Sequence, residues 1–109
     1  MTESSGRFEW DNEKNNINIK KHGIDFAEIL PIFDDPYFYE IYDINHSVEE
    51  ERFVGIGTVD GILVVVVCYT ERGKIRLISA RRATRLEKEV YYEKRKTING
   101  RADCGNNGS

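Results

Sequence analysis

ILVVVVCYTERGKIRLISARRAT, residues Ile62–Thr84, decides the fold of this chain. Its first half, Ile62 to Tyr69, is apolar and mostly β-branched without alternation, the pattern of a strand buried on both faces. Glu71-Arg72-Gly73-Lys74 predicts a tight turn. Ile75-Arg76-Leu77-Ile78-Ser79-Ala80 then reads as a second strand returning beside the first. It runs directly into Arg81-Arg82 and a helix start at Thr84. Two central strands therefore deliver basic, acidic and hydroxyl side chains to one rim of a sheet, where a chemical site is expected.

Outward from this stretch, Asp60-Gly61 is a two-residue hairpin signal joining the Ile62 strand to a preceding one at Arg52–Val59. Phe53, Gly55, Gly57 and Val59 share a face of that preceding strand, and the two glycines leave room for a close approach. Tyr37 to Ile44 is aromatic-rich and predicts another strand, followed by an acidic loop over Asn45–Glu51. Downstream, Thr84-Arg85-Leu86-Glu87 fits a capping box opening a helix to about Lys96.

Toward the N-terminus, Met1–Gly6 is small and polar and predicts disorder, and Arg7-Phe8-Glu9-Trp10 alternates as a short edge strand. Asp11 stands as N-cap of a helix over Asn12–His22 with Gly23 as its stop, although four asparagines lower its propensity. Trp10, Ile17 and Ile24 are its expected core contacts. A second short helix follows from Asp25 to Phe33, which Pro31 ends early or kinks, and Asp34-Asp35-Pro36 makes a turn. The expected fold is α+β: an antiparallel sheet of about four strands plus the short N-terminal strand, two N-terminal helices and one C-terminal helix. One domain spans 7–97, between a disordered 1–6 and a flexible tail over 98–109. If the helices cover one face of the sheet, the other needs a partner or a second copy of the chain.

A chain of 109 residues suits one modest core. No apolar run reaches membrane-spanning length and no signal-peptide pattern follows Met1, so a cytoplasmic chain is expected, with Cys68 and Cys104 as reduced thiols. The net charge of -3 hides an asymmetry: Met1–Glu71 holds 5 basic against 15 acidic residues, and Arg72–Arg101 holds 11 against 3. The basic part can bind a polyanion, or the two parts can neutralise each other across the fold.

Arg72, Arg76, Arg81, Arg82 and Arg85 supply guanidinium forks suited to phosphate, beside the positive end of the last helix. Alternation along a strand sends Arg81 and Arg82 to opposite faces unless the strand has ended. The competing reading pairs these arginines with the acidic front half or with Glu87. His22, Glu51, Glu71 and Tyr91 are candidates for proton transfer. Glu71 sits among cations that would keep it ionised, with an ion pair in the turn as its competing role; for His22 the competing role is a helix C-cap. No metal or cofactor is expected: His46-Ser47-Val48-Glu49-Glu50 lacks a second histidine at ligand spacing, and no phosphate-cradling glycine loop occurs. Ser79 and Cys68 lie in strands without a nucleophile elbow.

Taken in order, Phe8-Glu9-Trp10-Asp11, Lys21-His22-Gly23, Phe33-Asp34-Asp35-Pro36, Glu50-Glu51-Arg52-Phe53, Tyr69-Thr70-Glu71-Arg72-Gly73 and Ile78-Ser79-Ala80-Arg81-Arg82-Ala83-Thr84 resemble the BrnT toxin family, over roughly Phe8 to Glu93. The resemblance implies a RelE-like fold and a bacterial ribonuclease of a type II toxin–antitoxin system. It also implies a BrnA-like antitoxin as partner, RNA as substrate, and operator DNA reached indirectly through the antitoxin. On this basis Arg81 and Arg82 would bind and stabilise phosphate. Glu71, Arg72 and Arg52 would line the site, with His22 a further candidate for proton transfer. Catalysis would be metal-independent acid–base chemistry. The alternative is a non-catalytic partner or co-repressor in the complex on operator DNA. Glu87, Glu89 and Glu93 make the last helix more acidic than is usual in such toxins, which weakens the field on RNA.

Overall fold

The computed structural model describes residues 2–44 and 50–104, with side chains described as far as Thr97. Most of the expected loop over Asn45–Glu51 therefore lies outside the described residues, as does the end of the tail.

The sheet has six strands: β1 (Thr2–Ser5), β2 (Phe8–Asp11), β3 (Tyr39–Tyr42), β4 (Arg52–Val59), β5 (Leu63–Arg72) and β6 (Lys74–Arg82), in the order β1-β2-β6-β5-β4-β3. It is mixed, not purely antiparallel, because β2 lies parallel to β6 through Phe8↔Ile75, Glu9↔Arg76 and Trp10↔Leu77. The expectation of disorder before Gly6 is also corrected. Gly6, at φ 60°, turns the chain so that Thr2–Ser5 pairs antiparallel with β2.

The central meander follows its sequence signals closely. Asp60 and Gly61, at φ 56° and 70°, form the β4–β5 turn, and Gly73, at φ 77°, forms the β5–β6 turn. Val64, Val65, Val66 and Val67 are all buried, as a strand covered on both faces requires. Ile62, by contrast, is 82% exposed beside the turn.

Helix α1 (Asn12–His22) has the caps its sequence promises. The Asp11 carboxylate accepts from the Glu13 N–H at 2.9 Å, and the Gly23 N–H donates to the Ile19 carbonyl. Its buried face is different from expectation. Ile17 is 59% exposed, and the buried residues are Asn15 and Asn18. The Asn18 amide donates to the carbonyls of Ile24 (2.9 Å) and Ala80 (2.8 Å) and accepts from the Ala80 N–H (3.0 Å). β2 covers only Ile75–Leu77 of the β6 edge, so Asn18 serves the next stretch of that edge as a neighbouring strand would. Asn15 likewise accepts from the Phe26 N–H and donates to Asp25. The asparagines that weaken helix propensity are what α1 uses to dock.

The expected second helix is two short 3-10 helices, Phe26–Glu28 and Leu30–Asp34, the break coinciding with Pro31 at the start of the second. They press Phe26, Ile29 and Ile32 onto one face of the sheet against Val65, Val67, Tyr69, Leu77 and Ala80. Phe38 packs beside them over Gly55 and Gly57, where any Cβ would meet its ring. Helix α2 (Arg85–Cys104) crosses the other face and continues past the expected stop near Lys96. Among its described side chains Tyr91 is the one that is fully buried, packed with Ile56, Val64, Val66 and Ala83. Among the described residues no helix is long and apolar enough to cross a membrane.

Candidate functional site

Residues paired across neighbouring strands point to the same face. On the face that α2 crosses, Arg52, Thr70 and Arg76 therefore form one row over β4, β5 and β6. Val54, Cys68 and Ser79 form the next row, and Ile56, Val66 and Arg81 the third. A β-bulge makes this possible. Cys68 pairs with Ser79 while Tyr69 pairs with Leu77, which leaves Ile78 as the extra residue. Uninterrupted alternation from Arg76 would bring Arg82 to this face; the bulge brings Ser79 and Arg81 instead. β6 continues through Arg82, which pairs with Val65 and so belongs to the opposite face.

Helix α2 packs Tyr91 with Ile56 and Val66 of the third row and leaves the second row open, whereas Thr70 in the first row is buried. The opening is a cleft of about 270 Å³ lined by Arg52, Val54, Cys68, Ser79, Arg81 and Asp43, among others. Burial raises the Cys68 thiol above its ordinary range, and Arg52 pulls it partly back. Cys68 is thus a neutral thiol on the cleft floor.

Arg81 is held in place from outside the cleft. Its two terminal nitrogens each donate to a Glu87 carboxylate oxygen at 2.7 Å. Glu87 also accepts from the Thr84 N–H at 2.8 Å, and its own N–H donates to the Thr84 hydroxyl, completing the capping box read from the sequence. The Arg81 fork, then the Thr84 N–H, hold the Glu87 carboxyl down to about 2, and the same bond raises Arg81. Glu87 does not line the cleft, whereas Arg81 does. Arg81 also donates to the Arg82 carbonyl at 3.4 Å, so the carboxylate and this carbonyl fix the guanidinium and leave part of its N–H fork for an anion.

His22 lies in an adjoining cleft of about 160 Å³ with Lys14, Ile17 and Lys21, and the two clefts share Ile78 and Ser79. Arg52, Arg81 and His22 are thus brought around one continuous surface, with Arg76 at its margin in a 3.2 Å ion pair with Glu9. Glu71 and Arg72 are placed elsewhere, in a cleft of about 220 Å³ with Glu50 and Glu51 at the β5–β6 turn. Register sets Glu71 opposite Ile75, away from the arginine rows. Arg82 is exposed on the other face, and Arg85 is exposed in the first turn of α2, 3.7 Å from Glu89. Tyr91 is spent on structure. Its hydroxyl donates to Asp35 at 2.6 Å, and Asp35 also accepts from the N–H groups of Tyr37 and Thr58 and the Thr58 hydroxyl. Burial pushes the Asp35 carboxyl up, and these bonds outweigh it, leaving it below its usual range.

Ser79, Lys14, Lys21 and Asp43 also line these clefts, beyond the candidates named from the sequence. The lysines carried a legible signal: positions 14, 17, 18 and 21 share one face of a helix. For Ser79 the signal was hidden, because its orientation depends on the bulge.

A sequence family described as the ribonuclease toxin, BrnT, of type II toxin–antitoxin systems matches residues 10–87. The crystal structure of the Brucella abortus ribonuclease toxin BrnT is similar at 28% identity and a TM-score of 0.54, covering 70% of this chain and 94% of that one. No curated protein matches the chain.

Proposed function

This chain belongs to the family of BrnT ribonuclease toxins of type II toxin–antitoxin systems, and from that premise we propose that it cleaves RNA on the open half of the α2 face. The observation that supports this reading is the convergence of Arg52 and Arg81 on one cleft, with His22 across Ser79 in the adjoining one.

Cleavage requires the 2′-hydroxyl to lose a proton and attack phosphorus, the bond to the 5′-oxygen to break, and that oxygen to gain a proton. Charge accumulates on the non-bridging oxygens in between. Arg52 and Arg81 carry permanent positive charge and fork geometry to stabilise it, so the reaction proceeds without a metal ion. His22 is assigned one of the two proton transfers. Glu71, with Arg72, lies in the acidic cleft at the β5–β6 turn and on the other face from the arginine rows, and is given no proton transfer. Arg76, Arg82 and Arg85 contribute positive field from the margins.

A BrnA-like antitoxin neutralises the chain by covering the open row, and the complex reaches operator DNA through the antitoxin. The experiment is cleavage of total RNA by the purified chain in EDTA, with and without ribosomes. Arg81→Ala should lower the rate about 100-fold or more while moving the Tm little, since a partly exposed ion pair contributes no more than about 1 kcal/mol. His22→Ala should lower it on the order of 100-fold. Equal rates for wild type and Arg81→Ala would remove Arg81 from the site. No cleavage by wild type under either condition would favour a non-catalytic partner.

A further inference from the structure

We propose that the cleft between α1 and β6 is a second RNA subsite, in which Lys14 and Lys21 hold phosphates further along the strand than the one bound by Arg52 and Arg81. The inference rests on the reading of the arginine cleft given above. Three observations carry it.

Continuity comes first. The α1 cleft and the arginine cleft share Ile78 and Ser79, so a single strand leaving one enters the other without crossing a covered surface. Charge is the second. Lys14, Lys21 and His22 line the α1 cleft and, among the described residues, no carboxylate does. The cleft near Tyr91 contains Asp34, Asp35 and Asp60, and the one at the β5–β6 turn contains Glu50, Glu51 and Glu71. A polyanion is repelled from both of those and attracted here.

The third observation is Ile17. An amphipathic helix normally buries its isoleucines, yet both in α1 are exposed, and Ile17, at 59% the more so, stands between the two lysines while Asn18, next to it, is buried. Asn18 is bonded to the backbone of Ile24 and Ala80, which fixes the helix so that Lys14, Ile17 and Lys21 line the cleft. Two cations flanking an apolar side chain suit a sugar-phosphate backbone with one base packed against that side chain. The ligand class is single-stranded RNA, since a duplex would keep its bases paired and unavailable to Ile17.

The test uses 2′-O-methyl oligouridylates of two and six nucleotides, which lack the attacking hydroxyl, with binding followed by fluorescence anisotropy across salt concentrations. The Lys14→Gln/Lys21→Gln variant should bind the dinucleotide like wild type. It should lose the extra affinity for the hexanucleotide, and its salt slope on that RNA should fall by about 1.4, since each single-strand phosphate contact contributes about 0.7. Ile17→Ser should weaken the hexanucleotide about threefold to tenfold with the slope unchanged. Equal losses on both lengths, or an unchanged slope in the lysine variant, would overturn the subsite. Arg81→Ala separates the two readings, because it should weaken the dinucleotide. If it binds both RNAs like wild type while the lysine variant loses the hexanucleotide, the arginine reading fails and the α1 cleft stands as an RNA site. Failure of wild type to bind either RNA overturns both.

Discussion

Val67 and Cys68 are neighbours on β5 that point to opposite faces of the sheet and into different surroundings. Val67 is fully buried under the 3-10 helices, in a cluster that includes Phe26, Ile29, Ile32 and Tyr69. Cys68 lies on the floor of an open, arginine-lined cleft. The first face is packed by aromatic and aliphatic side chains, and it can do little except hold the fold. The second is closed over half its length by Tyr91 and left open over the other half. The same strands therefore supply both the buried core and the proposed working surface, and the division between them runs along the sheet plane.

The sharpest way to break this comparison is a matched pair of substitutions. Val67→Ser should cost about 2–4 kcal/mol, through lost burial and a stranded hydroxyl, as measured by urea unfolding. Cys68→Ser should cost no more than about 1 kcal/mol. Similar costs for the two would mean that the second face depends on packing as much as the first. A smaller effect is expected from Gly55→Ala. The new methyl must displace the Phe38 ring, which packs against Phe33 and Tyr69, at about 1–3 kcal/mol, with RNA cleavage per folded molecule unchanged. Altered cleavage would show that the closed face transmits its packing to the open one.

The smallest expected effect concerns the boundary between the open and covered halves, where Glu87 stands. Its folded value of about 2 lies below the ordinary 4.5, so its contribution to stability is complete above the ordinary value and lost as pH falls toward the folded one. Asp35, also lowered, acts in the same direction on the anchor of α2. The Tm should hold steady above about pH 5 and decline in acid, and Glu87→Gln should flatten that decline in part. An identical acid profile in Glu87→Gln would show that the Arg81 fork contributes nothing to holding α2.

The meander, its two glycine turns, the α1 caps and the capping box at Thr84 were legible because each depends on neighbours in sequence. The parallel pairing of β2 with β6 was not legible, since it joins residues far apart in the chain and leaves no local mark. The arginine site was legible in composition and partly hidden in geometry. Alternation separates Arg81 from Arg82, as expected, but the Ile78 bulge decides which of them shares a face with Arg76. Glu71 is close in sequence to Arg72 and Arg76, which made it a candidate beside the arginines. Strand parity then turns it to the other side. Ile17 illustrates the opposite error, a residue assigned to the core on hydrophobicity when the helix docks through asparagine amides.

The Asn18 bridge has a consequence for how the molecule breathes. The Ala80 amide proton is held by a side chain instead of by a strand, so it is released when α1 lifts, even while every strand stays paired. Deuterium uptake at Ala80 therefore times the detachment of α1, separately from the opening of the sheet reported by amides within β4 and β5.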